Sequence, residues 1–224
     1  MSKLFVVATP IGNLQDITLR ALEIFNGVDW IAAEDTRVTK KLLSRFKIDK
    51  PIISCHKHSD RRSIVRIISL LRAGKNVAFV TDAGTPGISD PGQYLIKSVV
   101  GAGFATGIVS IPGPSALSAA ISISDVDCSE FLFLGFPPHK KGRKKFFARV
   151  VKNKTPVIIF ESPHRIQKTL IELNEAAGNR YCNVGRELTK IHEEVFRGAL
   201  VDACRWVTES GPRGEFVIIV AADS

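Results

Sequence analysis

Two short segments bring carboxylates and cations close together. Residues 34–37 read Glu-Asp-Thr-Arg, and residues 186–194 hold three glutamates, a lysine, an arginine and a histidine. Carboxylates can accept a proton during catalysis, and cations can stabilise developing negative charge. The same residues have ordinary structural uses, because Asp35 can cap a following helix and Arg186 can pair with a neighbouring glutamate. The sequence leaves both interpretations open.

Loops rich in glycine and proline follow several apolar runs of strand length. They are residues 9–13, 82–92, 112–116 and 161–165. In open α/β sheets ligands bind outside the carboxyl ends of the strands, and glycine lets a ligand approach the main chain. Ordinary turns would explain any one loop, but several on one sheet edge favour a small-molecule site. No G-x-G-x-x-G follows the first strand and no P-loop sequence occurs, which argues against both phosphate-binding motifs.

Positive charge is concentrated in two stretches. The chain holds 31 Lys and Arg against 22 Asp and Glu, a net charge of +9. Residues 36–81 carry twelve basic and two acidic side chains, and residues 137–160 carry eight basic side chains and no acidic one. Because a solvated surface normally mixes signs, this pattern favours nucleic acid as a partner. A soluble basic face is the alternative.

Strand-length apolar runs alternate with stretches of helical period, which predicts an α/β fold with mostly parallel sheets. In the first part, strands are predicted at 4–8, 30–33, 51–54, 77–80 and 108–111. The polar segment 124–130 has no period and predicts a domain boundary. A second series follows it, with strands at 131–135, 157–160, 181–184, 194–197 and 216–221. We therefore expect two α/β domains with parallel or mixed sheets, residues 1–124 and 125–224.

Composition supports an ordinary globular protein. The chain has 224 residues, 45% of them hydrophobic and 24% charged, which excludes disorder and coiled coil as overall descriptions. Four widely spaced cysteines without a C-x-x-C pair predict reduced thiols rather than a zinc site or a disulfide. His56 and His58 would share one strand face, but without a third ligand we expect no metal. No apolar run is long enough to span a membrane, so we expect a cytoplasmic protein.

The motifs, taken in order, resemble the bacterial 16S ribosomal RNA cytidine-2′-O-methyltransferases of the tetrapyrrole-methylase superfamily. The matching segments are 7–14, 34–37, 82–86 with 89–92, 112–116, 161–165, 186–194 and 212–215. The resemblance is collinear and covers nearly the whole chain. It implies two α/β domains with the methyl donor, S-adenosylmethionine, in the cleft between them, and a homodimer. Cys55 and Lys57 depart from the family pattern, so a role for His56 and His58 stays open.

The resemblance also assigns donor contacts by position. Gly84-Thr85-Pro86 stands where the superfamily has its Gly-Asp-Pro loop, residues 112–115 match its Pro-Gly-x-Ser loop, and residues 10–13 match its N-terminal turn. The expected donor-binding residues are Pro10, Ile11, Asp82, Gly84, Thr85, Ile88, Ser115, Ala116, Glu161, Arg213 and Gly214.

The implied reaction moves a methyl group from a sulfonium to a ribose 2′-hydroxyl. It needs in-line alignment, and either a base for the hydroxyl proton or a cation for the oxyanion. The candidates are Asp35, Glu161, Glu187, Lys190 and Glu193. We expect Asp35, Glu187 and Lys190 to be catalytic, with the two polar segments facing one cleft.

The same resemblance implies 16S ribosomal RNA, or the small ribosomal subunit, as the partner. The residues expected to contact its phosphates are Arg37, Lys40, Lys41, Lys140, Lys141, Arg143, Lys144 and Lys145. Aromatic residues are sparse among them, namely Phe46, Phe146 and Phe147, so we expect recognition by RNA shape rather than by stacking. Two other functions stay open: a tetrapyrrole methylase, and a non-catalytic RNA-binding protein on the same fold.

Overall fold

The protein forms two compact units, residues 1–115 and 116–224. A computed structural model describes residues 2–56, 61–90 and 92–223. The unit boundary precedes the boundary predicted after residue 124, because α5 (Ala116–Ser122) packs on strand β10 (Phe216–Val220) of the second unit. Ser124 belongs there too, since its hydroxyl donates to the amide oxygen of Asn183 at 2.7 Å.

The first unit is a five-stranded parallel sheet with helices on both faces. Its strands are β1 (Leu4–Val7), β2 (Trp30–Ala33), β3 (Ile52–Ser54), β4 (Val77–Val80) and β5 (Ile108–Ile111), in the order β3-β2-β4-β1-β5. Its helices are α1 (Leu19–Gly27), α2 (Thr36–Arg45), α3 (Arg61–Arg72) and α4 (Gly92–Gly101), and short 3₁₀ turns span Leu14–Asp16 and Ala105–Gly107. The predicted strands of this half are all present.

Apolar side chains on both faces of each central strand account for this layering. All four residues of β4 are buried. Ala78 and Val80 pack into a core with helices α1 and α2, whereas Val77 and Phe79 pack into a second core with α3 and α4. A strand buried on both faces needs helices on both sides, as parallel sheets normally have.

The second unit is a five-stranded mixed sheet. Its other strands are β6 (Leu132–Gly135), β7 (Val157–Glu161), β8 (Tyr181–Arg186) and β9 (Glu194–Ala199), in the order β6-β7-β10-β8-β9. Only β6 and β7 are parallel, and the remaining pairs are antiparallel. Helices α6 (Arg143–Lys152), α7 (Ile166–Ala177) and α8 (Leu200–Ser210) cover the main core. The predicted α/β class with parallel and mixed sheets is confirmed.

The parallel register of the first sheet places the predicted ligand loops on one edge. Val7 pairs with Ile111, and Ala33 pairs with Val80. The chain segments that follow these four residues therefore leave the sheet at the same edge. Within the described residues, no helix is long and apolar enough to cross a membrane.

Candidate functional site

Hydrogen bonds fasten the loops after β1, β4 and β5 to one another. The backbones of Thr9 and Gly84 exchange two N–H···O bonds of 3.0 Å each. The Thr85 hydroxyl donates to the Pro114 carbonyl at 3.0 Å, and the Ala8 N–H donates to the Ile111 carbonyl at 3.1 Å. Three loops that are far apart in the sequence thus form one preorganised edge.

Gly84 is required at this edge for two reasons. Its φ of +80° lies in the left-handed region, which an L side chain occupies only with strain. A Cβ atom there would also lie 3.3 Å from the Ile11 side chain. The glycine therefore lets the β4 loop lie against the β1 loop, as the predicted donor site requires.

The structure distributes the predicted donor-binding residues of the first unit along this edge. Pro10 is buried, Gly84 forms the bridge, and Asp82 is exposed. The half-buried members are Ile11, Thr85, Ile88 and Ser115. Asp82 extends the network, because its carboxylate accepts the Asp35 N–H at 2.8 Å and so joins the loop after β2. Ala116 is the first residue of α5 in the second unit.

One buried polar atom after the β1 loop lacks a hydrogen-bond partner among the described residues. It is Oδ2 of Asp16, in the 3₁₀ turn that follows that loop. A buried polar group without a partner costs free energy, so such atoms point to a missing polar partner. The edge therefore fits a ligand that carries hydrogen-bonding groups, as S-adenosylmethionine does.

An apolar cavity of about 210 Å³ adjoins the same β4 loop. Its lining residues are Val6, Phe79, Pro86, Gly87, Gly92, Gln93, Ile96 and Lys97. Most of its lining surface is apolar, and Gln93 and Lys97 of helix α4 contribute to it. Such a cavity suits an uncharged ring or chain better than an ion.

Asp35 has the structural role that the sequence left open. It is the N-cap of α2, its carboxylate accepts the Arg37 N–H at 2.8 Å, and the same carboxylate pairs with the Arg37 guanidinium at 2.6 Å. These bonds lower the pKa of Asp35 to about 2, with the Arg37 side chain as the largest cause. A carboxylate that weakly basic is a poor proton acceptor at neutral pH.

Asp90 is the residue of this edge that sequence reasoning missed. It lies half-buried beside Glu34 and Asp82, and burial together with the negative charge of Glu34 raises its pKa to about 6. The buried Thr81 hydroxyl lies close enough to lower that pKa. Asp90 lies within a segment that matches the family, but only the fold reveals that it is half-buried near two other carboxylates.

The predicted cluster of the second unit is a tight ion-pair network. Glu187 Oε1 accepts from Lys190 Nζ at 2.7 Å and from the Glu215 N–H at 2.9 Å, and Lys190 also pairs with Glu215 at 3.0 Å. Burial alone would raise the pKa of Glu187, but these hydrogen bonds and the Lys190 charge lower it. For Lys190 burial acts to lower the pKa and the two glutamates raise it further, so the lysine stays cationic.

Backbone strain accompanies this network. Glu187 and Thr189 have φ values of 52° and 70°, which are uncommon for residues other than glycine. Gly214 makes room for the Glu187 side chain, since a Cβ on Gly214 would lie 2.2 Å from Glu187 Cγ. Strain of this kind persists only where the surroundings hold it, and functional sites are where it concentrates. Arg186 pairs with Glu194 at 3.1 Å, which is the structural use considered from the sequence.

Two predicted donor-binding residues of the second unit, Glu161 and Arg213, differ in burial. Glu161 is buried, and its carboxylate accepts from the Ser162 N–H at 2.7 Å and the Thr169 hydroxyl at 2.6 Å and pairs with Arg165 at 2.7 Å. These bonds give Glu161 a full structural role within the second unit. Arg213, by contrast, is exposed. Donor contacts by Glu161, Arg213 and Gly214, and a donor site shared by the two domains, stay predictions.

The predicted RNA-binding cations are exposed, with one exception that we correct. The exposed members are Arg37, Lys40, Lys41, Lys140, Lys141, Lys144 and Lys145. Arg143 is buried, pairs with Glu172, and donates to Thr169 Oγ1 at 2.6 Å and to the Pro138 carbonyl at 3.1 Å. Its guanidinium is committed to these partners, so we remove it from the RNA-contacting set.

The structure describes one of the two histidines and all four cysteines. His56 is exposed and lies beyond β3, which ends at Ser54, so the predicted shared strand face is wrong for it; His58 lies outside the described residues. All four cysteines are free. No group of three or more His, Cys, Asp or Glu side chains that could hold a metal occurs in the described part of the chain.

Comparisons with known proteins identify the family and the fold. The pattern of the tetrapyrrole (corrin/porphyrin) methylases matches residues 3–204. Relatives named ribosomal RNA small subunit methyltransferase I are 42% identical over 221 residues in both Thermotoga maritima and Bacillus subtilis. The alignments cover 99% of this chain and 99% of the Thermotoga protein, and 98% of this chain and 75% of the Bacillus protein.

Two solved structures share the fold at low identity. Uroporphyrin-III-C-methyltransferase from Thermus thermophilus has a TM-score of 0.68 at 16% identity, covering 99% of this chain and 94% of that one. A cobalt precorrin-4 methyltransferase has a TM-score of 0.68 at 18% identity, covering 98% and 94%. These structures show the shared fold, whereas the match over residues 3–204 and the full-length relatives show that the chain belongs to the tetrapyrrole (corrin/porphyrin) methylase family.

Proposed function

We propose that this protein is an S-adenosylmethionine-dependent methyltransferase that modifies the 2′-hydroxyl of a cytidine in 16S ribosomal RNA. The observation that carries the proposal is the 42% identity over 99% of the chain to a protein named ribosomal RNA small subunit methyltransferase I. The exposed lysines and arginines of both units add electrostatic support, because phosphate contacts dominate RNA affinity.

The fastened edge of the first unit is the proposed donor site. Gly84, Thr85 and the Pro10–Ile11 turn would hold the donor through main-chain approach, and Asp16 offers an unpartnered carboxylate oxygen. When bound, S-adenosylmethionine supplies a methyl group on a positively charged sulfur. Because this edge is preorganised by hydrogen bonds, little conformational entropy would be lost when the donor binds.

Asp90 is the proposed proton acceptor for the ribose hydroxyl. An effective general base has a pKa near the working pH, and Asp90 meets that condition whereas Asp35 does not. Asp35 would instead orient Arg37, and Lys190 would stabilise negative charge on the ribose oxygen as a cation. Glu187 then has the task of positioning Lys190.

The partner would be 16S ribosomal RNA, free or within the small subunit, and a homodimer and a cytoplasmic location accompany that assignment. A tetrapyrrole acceptor gains no support from the solved relatives, because at 16–18% identity they share the fold alone. A non-catalytic RNA-binding role would not explain the hydrogen-bonded, glycine-containing loops after β1, β4 and β5.

Two measurements test the proposal. Calorimetric titration with S-adenosylmethionine should give saturable binding, and Gly84→Val should abolish it. Mapping of 2′-O-methylation on 16S RNA from a strain lacking the gene should reveal one missing cytidine methylation, restored by the wild-type gene but not by the Asp90→Asn variant. Donor binding combined with an unchanged RNA methylation map would leave the enzyme with another acceptor and refute the proposed substrate.

A further inference from the structure

Three phenylalanines of the second unit form an aromatic cluster at the carboxyl ends of β6 and β7. The ring of Phe160 lies between the other two, with centroid distances of 5.0 Å to Phe133 and 5.7 Å to Phe136. Both contacts are edge-to-face, the arrangement that ring electrostatics favour. Phe133 and Phe160 are half-buried, whereas 50% of Phe136 is exposed.

A local irregularity of β6 accounts for the exposure of Phe136. The register with β7 shifts between Phe133 and Gly135, and Gly135 has a φ of 66°. A bulge of this kind redirects the side chain that follows it. Leu132 and Leu134 pack against the helical core, so the phenylalanines are not needed to fill that core.

Phe136 opens the basic loop that leads to α6. The next two residues, Pro137 and Pro138, are anchored by side chains of the second unit. The Pro137 carbonyl accepts a hydrogen bond from Arg165 at 2.8 Å, and the Pro138 carbonyl accepts one from Arg143 at 3.1 Å. His139, Lys140 and Lys141 in the same loop are exposed. The sequence from 137 to 160 carries no carboxylate. An exposed ring on an anchored loop thus lies next to unopposed positive charge.

We infer that Phe136, backed by Phe160 and Phe133, is a stacking surface for an unpaired base of single-stranded RNA, with Lys140 and Lys141 holding the flanking phosphates. This inference rests on the proposed RNA substrate and adds how that substrate is bound. Aromatic rings beside a basic groove are the usual means of binding single strands, because every base offers a π-face. It reverses the sequence-based expectation of recognition by shape alone.

A second copy of this chain is the main alternative occupant of the ring. Lysine is depleted at protein–protein interfaces, whereas the loop that begins at Phe136 presents two adjacent lysines and no carboxylate. Charge complementarity therefore favours a polyanion. Oligomeric state is included in the test because a dimer contact would give a different result.

The experiment compares Phe136→Leu with wild type, with Phe136→Trp, and with the control Phe131→Leu. Phe131 is 40% exposed at the opposite end of β6, so it matches Phe136 in type and exposure. Each protein is titrated at several salt concentrations with a short single-stranded oligoribonucleotide, with the same sequence as a duplex, and with a strand carrying abasic sites. Sedimentation gives the oligomeric state, and methylation of 16S RNA by wild type is measured in parallel.

We expect Phe136→Leu to weaken single-strand binding roughly 5- to 100-fold, the range for one lost stacking contact. The salt slope should not change, the abasic strand should bind both proteins alike, and Phe136→Trp and Phe131→Leu should behave as wild type. Unchanged single-strand affinity in Phe136→Leu, equal losses for duplex and abasic strand, or dissociation of a dimer would each overturn the stacking role. A wild type that neither binds nor methylates RNA would instead refute the proposed function.

Discussion

Replacing Asp90 by asparagine should make the protein more stable at neutral pH and less active. Burial, with the charges of Glu34 and Asp82 beside it, raises the pKa of Asp90 from 3.8 to about 6. The folded protein therefore holds this proton more tightly than the unfolded chain does. Wild type loses stability as pH rises from about 4 to about 6, and the loss persists above pH 6. Asparagine cannot ionise, so the variant does not lose stability in this way.

The size of the effect follows from the shift. A difference of about 2 pKa units corresponds to roughly 3 kcal/mol between the two protonation states. Asp90 is only half-buried, so solvent screening reduces this to about 1–2 kcal/mol. For a chain of this length that is a Tm higher by roughly 2–8 °C at pH 7.5. Near pH 4 and below, the two proteins should unfold at the same temperature.

Calorimetry at both pH values tests the stability, and single-turnover methylation at saturating donor and RNA tests the chemistry. The Asp90→Asn rate should fall roughly 100-fold or more, and the wild-type rate should rise with pH and level off above about 6. Asp49→Asn, at an exposed position of the same unit, is the matched control and should change neither property. Asp35→Asn should methylate within about 10-fold of wild type, because asparagine caps a helix as well as aspartate does.

Two results would refute this reasoning. A variant less stable than wild type at pH 7.5 would mean that the carboxylate makes favourable contacts instead of suffering from burial. A gain in stability at pH 4 as large as that at pH 7.5 would show that the gain does not come from removing the ionisation of Asp90. Higher stability together with full activity would keep the electrostatic argument and remove Asp90 from catalysis.

Three further predictions concern donor, charge network and RNA. Gly84→Ala should lower donor affinity about 10-fold or more in calorimetry because its φ is +80°, whereas Gly101→Ala, with no atom within 4 Å of the added Cβ, should not. Lys190→Met should lower single-turnover methylation roughly 100-fold at unchanged donor affinity, and equal rates would exclude a cation at the ribose oxygen. Replacing four exposed lysines with glutamine should lower RNA affinity and reduce the slope of log affinity against log salt by about 0.7–0.9 per lost phosphate contact. The four are Lys140, Lys141, Lys144 and Lys145. The control Arg143→Gln should lower Tm but leave this slope unchanged.

Apolar runs were sufficient to predict central strands such as β4 and β10 because every residue of these strands is buried. The run 77–80 is apolar at every position, and the fold buries each of these residues between two helical layers. The edge that collects the glycine loops was predictable for the same reason, since parallel strands share their carboxyl ends. The bridge between Thr9 and Gly84 was not predictable, because it joins backbones 75 residues apart.

Asp90, the proposed proton acceptor, could be identified only from the fold. Asp35 and Asp90 are both aspartates in matching segments, and nothing local in the sequence separates them. Their pKa values differ because Asp35 has an arginine two residues away, whereas Asp90 is half-buried and lies near two carboxylates that follow neighbouring strands. A pKa is set by spatial neighbours, and those neighbours come from residues 34 and 82 of the chain.

The basic stretch 137–160 contains the information that distinguishes Arg143 from the neighbouring lysines. Arg143, Phe146, Phe147 and Val150 follow the i, i+3, i+4, i+7 spacing of one helix face, and all four are buried. Charge counting grouped Arg143 with the neighbouring lysines, although helical period places it with the phenylalanines. The same spacing explains why Phe146 and Phe147 cannot bind RNA, since they lie on the inner face. The exposed ring next to this stretch is Phe136, which we propose as the stacking surface and which a strand bulge, not a helix, exposes.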